Sequence, residues 1–589
     1  MAWRFRKLGE EEEKPTLPLA VILRRLFVFL KPYWKHILGY IVLSLIFVLV
    51  RIIIPLIAGL MVDALTTLDL EKFNMLLLAY LGISLFRFGI TSSRQVLSTF
   101  IGQSVIRDIR EKLYEKILYA RLNIVRSEEL GRLVSKVTND VDTFGEVFTS
   151  DLVNVFMDIF MMSVTAWVMV SLNLQLSLIV FSLVPVVLLI NTYFARRARK
   201  AFTKAREAIA KVMAKVEQGV SGAAVTKVFV ERKDYEREEF KKVSSEYVQS
   251  NVEAEKAVSG VGPAVDFIRA VGTAAILYIG ALLVLEGKTT IGIIIAFISY
   301  LNNFFQPLQT LVIFYNTFQS TLAASERIIG VLDFEGEDKG GDKEEIKKGD
   351  LDAIKVNFGY EKEIQVLKDV SFIARPGEIT VIAGPTGSGK STLLKLIPRF
   401  FDPWSGEIRI DGVVNKEYNL YSLRKKVVYV PQEPLIFSGT VLDNITLFVD
   451  VDRKEIEEWI DILGIREIIE TIPGGLDGNI VEGGKNLSKG QRQVISLLRA
   501  IASKPKLLLL DEATSSVDPE TEKNIYKGLT RIVEMLDINL VVVAHRLPAI
   551  APLATRILVL EDGKIREVGK HEDLLSRGGV YLRLWKSQI

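Results

Sequence analysis

No cysteine occurs among the 589 residues, which excludes disulfides, thiol nucleophiles and thiolate metal sites. Histidine is scarce: His36, His545 and His571 are the only three, too few for a histidine-rich metal centre. A dominant charge sign is missing too. Lys and Arg number 74 against 71 Asp and Glu, a net +3, so no basic field invites nucleic acid. What is abundant is an unusual pair of properties, 49% hydrophobic residues together with 25% charged ones. A single soluble fold seldom combines them, whereas an apolar membrane part joined to a charged soluble part does.

Residues 1–35 read as a charged cytosolic tail without a signal-peptide core, then an interfacial helix from Leu17 to Leu30 leading into Lys31-Pro32-Tyr33-Trp34. Residues 36–332 hold six apolar stretches long enough for a bilayer, which takes about 20 helical residues. They run roughly His36 to Met61, Phe73 to Gln95, Leu152 to Ser171, Leu174 to Phe194, Val261 to Leu285 and Ile291 to Phe314. The long connections are basic (Arg107, Arg110, Lys112, Lys116, then Arg196, Arg197, Arg199), while the alternate ones are short. Positive loops stay inside, so both chain ends are expected in the cytoplasm of a multi-pass protein of the cell membrane. The second and fourth spans continue helically beyond the bilayer and are expected to turn back near Asn123 to Gly131 and Gly219 to Ala224. Residues 333–350 read as a linker too polar and glycine-rich to pack.

Residues 351–589 alternate short apolar strands with helical segments, the pattern of an α/β domain. Gly384-Pro385-Thr386-Gly387-Ser388-Gly389-Lys390-Ser391 follows the strand Ile379 to Ala383 and matches the phosphate-cradling loop G-x-x-x-x-G-K-[ST]. Its amides and the N-terminus of the helix that follows face the phosphates, with Thr392 also on the nucleotide side, Lys390 reaches them, and Ser391 suits Mg²⁺. The strand Leu507 to Leu510 ends in Asp511, placed for Mg²⁺, and Glu512, placed to orient and deprotonate water. His545 closes another strand, where it can contact the terminal phosphate.

These motifs stand in an order that resembles ATP-binding cassette (ABC) transporters of the exporter type. Leu487-Ser488-Lys489-Gly490-Gln491 is similar to the family signature Leu-Ser-Gly-Gly-Gln. Tyr360 matches the adenine-stacking aromatic, Gln432 the lid glutamine that approaches the metal, and Ser516-Val517-Asp518 the loop after the carboxylates. The resemblance implies six membrane helices with long cytosolic extensions, then a P-loop ATPase domain with a helical subdomain. It implies ATP and Mg²⁺ as cofactors, with Glu512, His545 and Gln432 at the reacting phosphate. It also implies a second half-transporter chain, because each ATP lies between one chain's P-loop and the other's signature. Lys489 replaces a glycine that lets the signature approach phosphate closely; an altered signature beside an intact Glu512 and His545 favours a heterodimer over a homodimer. Only Glu482 matches the acid pair usual before the signature.

Arg51, Arg87, Asp158, Asp266 and Arg269 fall where a bilayer penalises charge and are expected to face a cavity or one another. With the polar face of Asn302, Asn303, Gln306 and Gln309 and the flexible Met157, Met161 and Met162, they suggest an amphipathic cargo, of drug or lipid type. A dedicated lipid flippase, or an ATP-gated channel or regulatory subunit on the same scaffold, is the alternative.

Overall fold

The computed structural model describes residues 17–588 except 128, 129, 230, 362, 448 and 545. The chain divides into two compact units, one of residues 1–119 and 128–334, the other of residues 120–127 and 335–589. The charged tail before Thr16 lies outside the described residues.

The described residues of the first unit form helices joined by turns. Among the described residues five helical stretches are long and apolar enough to cross a membrane: Lys31–Thr66, Leu70–Leu118, Gly131–Leu172, Leu174–Ser221 and Glu231–Leu285. The sixth expected crossing is one helix, Ile291–Leu332, whose described apolar stretch is Ile291–Pro307. Each short connection supplies the cap of the helix it precedes. Asp69 accepts from Lys72 N, Asn173 from Leu176 N and Thr290 from Ile293 N, satisfying amide donors that a helix start leaves open. At 1.5 Å per residue the second helix, 49 residues long, extends about 74 Å, over twice a hydrocarbon core. Its reversal begins at Tyr119, and that of Leu174–Ser221 at Gly222, within the expected turn regions or a few residues ahead of them. The extensions are tied by charge: Arg327 of the sixth helix grips Asp140 with Nε at 2.8 Å and Nη2 at 2.7 Å. Asp140 closes a π-helical turn, Lys136–Asp140, in the first reversal. In the membrane core Val48, Ile52, Met161, Val265, Phe297 and Tyr300 pack together, and Tyr300 Oη donates to Ile52 O at 2.8 Å. Met161 is therefore part of this core and not of a cavity wall; Met157 and Met162 are only partly buried beside it.

The second unit is built on a six-stranded sheet ordered Lys564–Gly569, Arg556–Glu561, Ile379–Ala383, Asn539–Val543, Leu507–Asp511, Val427–Val430. All neighbours are parallel except the first pair. Three of the four inner strands, Ile379–Ala383, Asn539–Val543 and Leu507–Asp511, are buried at every residue, as parallel strands covered on both faces are. A separate four-stranded antiparallel sheet, Leu367–Ala374, Leu351–Phe358, Ser405–Ile410 and Val413–Val414, shares a buried core with it, Val356 and Leu367 clustering with Ile382, Leu509 and Val541. Helices Val441–Thr446, Arg453–Leu463 and Lys489–Ala502 form the helical part.

The expected linker does pack. Four successive amides, of Lys347, Lys348, Gly349 and Asp350, donate to the Asp411 carboxylate at 2.8–3.0 Å. Arg424 holds Glu337 through two bonds, and Ile346 is 4% exposed. Its polarity serves hydrogen bonds to the domain, which composition alone does not distinguish from solvation. At the other end of this segment, Arg121 N donates to Glu335 O at 3.1 Å and the two side chains form an ion pair.

Candidate nucleotide site

The carboxyl ends of the parallel strands, where open α/β sheets place their ligands, carry the predicted residues. After Ala383 the chain enters the glycine loop. Gly384, at φ +156°, has no room for a Cβ, which would stand 2.1 Å from Leu560 O. Gly389, at φ +104°, is the residue before helix Lys390–Leu396, and no side chain caps that helix. Its first amides are thus left to an anion. Lys390 is 9% exposed and folds its ammonium back onto the carbonyls of Gly384 and Pro385, both at 2.9 Å. Burial lowers its pKa from the usual lysine value, against the opposing pull of Glu512 and Asp511. Ser388 Oγ is buried without a hydrogen-bond partner, an orphan donor inside the loop. Pro385 and Thr386 are exposed at the loop's tip, and Thr392 is buried.

Asp511 and Glu512 follow each other at the end of Leu507–Asp511 and have different partners. Asp511 accepts from Ser391 Oγ and from Tyr429 Oη, each at 2.8 Å. Glu512, at φ +51°, accepts from Gln432 Nε2 at 2.6 Å. So the loop serine meets one carboxylate and the lid glutamine the other. Tyr360, half exposed, sets its ring edge-on to Phe358 and Phe401 and its hydroxyl 3.2 Å from Thr392 Oγ1. His545 lies outside the described residues.

The signature opens helix Lys489–Ala502. Ser488 and Gln491 form a capping box: Ser488 Oγ accepts from Gln491 N at 3.1 Å, and Ser488 N donates to Gln491 Oε1 at 2.7 Å. Lys489 is not among the residues with positive φ, so the helix start accepts its side chain without backbone strain. Gly490 is tighter, a Cβ there meeting Ser516 O at 3.3 Å. Asp518 accepts from Thr521 N at 2.9 Å and caps helix Pro519–Leu536; that bond holds its carboxyl below the usual range.

Two side chains that motif reading passed over connect these pieces. Gln493, 2% exposed, accepts from Ser516 N at 3.0 Å and donates to Ser515 Oγ at 3.3 Å. It thus ties the signature helix to the loop after the carboxylates. Tyr429 is the second, through its bond to Asp511. Gln493 does sit two residues beyond the signature, but nothing in spacing tells which way it points.

The donor set fits the implied groups. A serine hydroxyl and a carboxylate, both hard oxygens, are what Mg²⁺ takes from protein when phosphates supply the rest. Among the described residues no group of three or more His, Asp or Glu could hold a metal alone.

Fused membrane helices and a doubly covered parallel sheet with a P-loop define a membrane-bound P-loop ATPase. Residues 37–308 match the family model for the ABC transporter transmembrane region and residues 367–515 that for ABC transporter. An uncharacterized ABC transporter ATP-binding protein of Bacillus subtilis (strain 168), YknV, is 31% identical over 571 residues, 96% of this chain and 94% of that protein. A putative multidrug export ATP-binding/permease protein of Staphylococcus aureus (strain bovine RF122 / ET3-1) is 32% identical, covering 96% of this chain and all of its own length. A bacterial Atm1-family ABC exporter solved with ATP bound superposes with a TM-score of 0.76 at 23% identity, covering 97% of this chain and 99% of that one. The chain belongs to the ABC transporters: it is an exporter-type half-transporter, a membrane protein that binds ATP and couples its hydrolysis to transport.

Proposed function

We propose that this half-transporter exports amphipathic compounds, of multidrug or lipid type, across the cell membrane by alternating access, with both termini cytoplasmic. The observation that carries the catalytic part is the split of the carboxylates. Asp511 is held with Ser391, the pair that would bind Mg²⁺, while Glu512 is held by Gln432. When bound, Mg²⁺ would neutralise charge on the phosphates. Glu512 is the general base, Gln432 orients it, and Lys390 leaves the loop carbonyls for the phosphates. The amides of residues 387–391 and Ser388 Oγ complete the cradle, Thr392 follows them into the helix, and Tyr360 receives adenine. Ser488, Gly490, Gln491 and Asp518 are read as facing the nucleotide of a second chain, and His545 as facing the terminal phosphate.

ATP that touches two cassettes only when they are closed shifts the equilibrium toward closure by that difference in affinity. A heterodimer is the favoured assembly, on the altered signature at Lys489; the unstrained backbone there leaves a homodimer workable. Support for the multidrug reading comes from the Staphylococcus aureus relative described as a multidrug export protein.

Glu512→Gln tests the assignment. In vesicles it should lower ATPase turnover by about 10²-fold or more, the lower end of general-base effects, while ATP binding persists. Turnover near the wild-type rate refutes Glu512 as base.

A further inference from the structure

The membrane unit holds more positive charge than its own acids neutralise. Asp266 and Arg269 bond to each other, so that pair cancels. Among the described residues Arg51, on the first span, has neutral hydrogen-bond partners: Nε donates to Asn303 Oδ1 at 3.2 Å and Nη2 donates to the Gln306 side-chain oxygen, both on the sixth helix. Arg87 and Arg94 of the second helix and Asp158 of the third stand within electrostatic reach of Arg51. Asp158 is also within reach of Arg94, whose guanidinium lies over the Phe47 ring, 4.4 Å from its centroid.

Among the described residues none of these three arginines makes an ion pair; the carboxylate of Asp158 is within reach of Arg51 and Arg94, and Arg87 adds its charge beside Arg51. Uncompensated guanidinium is expensive at membrane depth and marks a site whose counter-charge comes from elsewhere. Two amide oxygens orient Arg51 without neutralising it. They leave three of its five N–H donors for a fork-shaped partner such as phosphate, sulfate or carboxylate. Nearby, Met157 and Met162 offer adaptable apolar surface.

We propose that the cargo is an amphiphile with an anionic head, and that Arg51, oriented by Asn303 and Gln306, binds that head while Arg87 and Arg94 supply its field. The proposal rests on the export reading and narrows it: a cationic amphiphile would be repelled at this place.

The full chain, in its own assembly, is reconstituted in phosphatidylcholine vesicles, and ATPase stimulation is titrated with dodecyl phosphate, dodecanol and dodecyltrimethylammonium. Dodecyl phosphate should act at about tenfold lower concentration than the other two. Arg51→Gln should bring it within about twofold of dodecanol, and Arg51→Lys should keep most of the preference. Equal or better potency of dodecyltrimethylammonium on the wild type overturns the proposal, whether or not any variant folds. So does a full phosphate preference in an Arg51→Gln protein that still responds to dodecanol. If none of the three probes stimulates hydrolysis, amphiphile export itself fails, and the anion site with it. Replacing a quarter of the lipid by phosphatidylglycerol identifies the source. A lipid headgroup as cargo raises the rate without added amphiphile; a free amphiphile leaves the dodecyl phosphate response unchanged.

Discussion

Gln493 shows how one buried amide side chain can position a loop it does not belong to. Its oxygen fixes Ser516 N and its amide nitrogen holds Ser515 Oγ, in the loop that follows the two carboxylates. In Gln493→Ala the loop loses both bonds. ATPase kcat should then fall by about tenfold with KM for ATP within twofold of wild type, because the residue touches no nucleotide group; a displaced catalytic loop has effects of that order. Equal loss in both parameters would instead indicate damaged nucleotide binding. Asp518 gives a pH signature. Its carboxyl is lowered chiefly by the Thr521 amide, so the stability of its charged form is complete above the ordinary carboxylate range near 3.9. That stability drains as pH falls through the depressed value. Asp518→Ala should melt at a lower temperature than wild type at pH 7, and the gap should narrow as pH falls below about 4. The P-loop was readable because Gly384 and Gly389 are backbone requirements written as residue types. Tyr429 and Gln493 were not, since their roles depend on strand register and helix phase, which a linear motif does not carry.

Secondary-structure elements were legible where chemistry repeats. Apolar runs marked the membrane helices, and Asp69, Asn173 and Thr290 sit at the helix starts their side chains cap. The segment 333–350 was misread for a physical reason: its amides are satisfied by Asp411, more than sixty residues along the chain. In Asp411→Ala four donors lose a charged acceptor. With hydrogen bonds to charged groups worth about 1.5–3 kcal/mol each and solvent replacing most of them, a net loss of about 2 kcal/mol is expected. Limited proteolysis should then cut between Lys343 and Asp350 faster than in wild type, while the membrane helices keep their far-ultraviolet signal.

For the whole molecule, the absence of cysteine becomes an experimental asset. Thr386 is exposed at the tip of the P-loop, and Lys489 starts the signature helix. If two chains pair head to tail around ATP, Thr386→Cys with Lys489→Cys should form an interchain disulfide in the presence of ATP, with no background thiol to compete. The same variant expressed alone decides the assembly: a cross-linked dimer from this chain by itself argues for a homodimer. Cross-linking only after a second half-transporter is added, itself carrying the matching cysteines, argues for the heterodimer.

The helix Leu70–Leu118 runs unbroken through 49 residues, without proline. A rod of about 74 Å that pivots by ~5° at one end sweeps about 6 Å at the other, more than the width of a methylene chain. Gearing of this kind would turn a modest rotation at one end of the helix into a displacement of that size at the other, with no need for the helix to unwind.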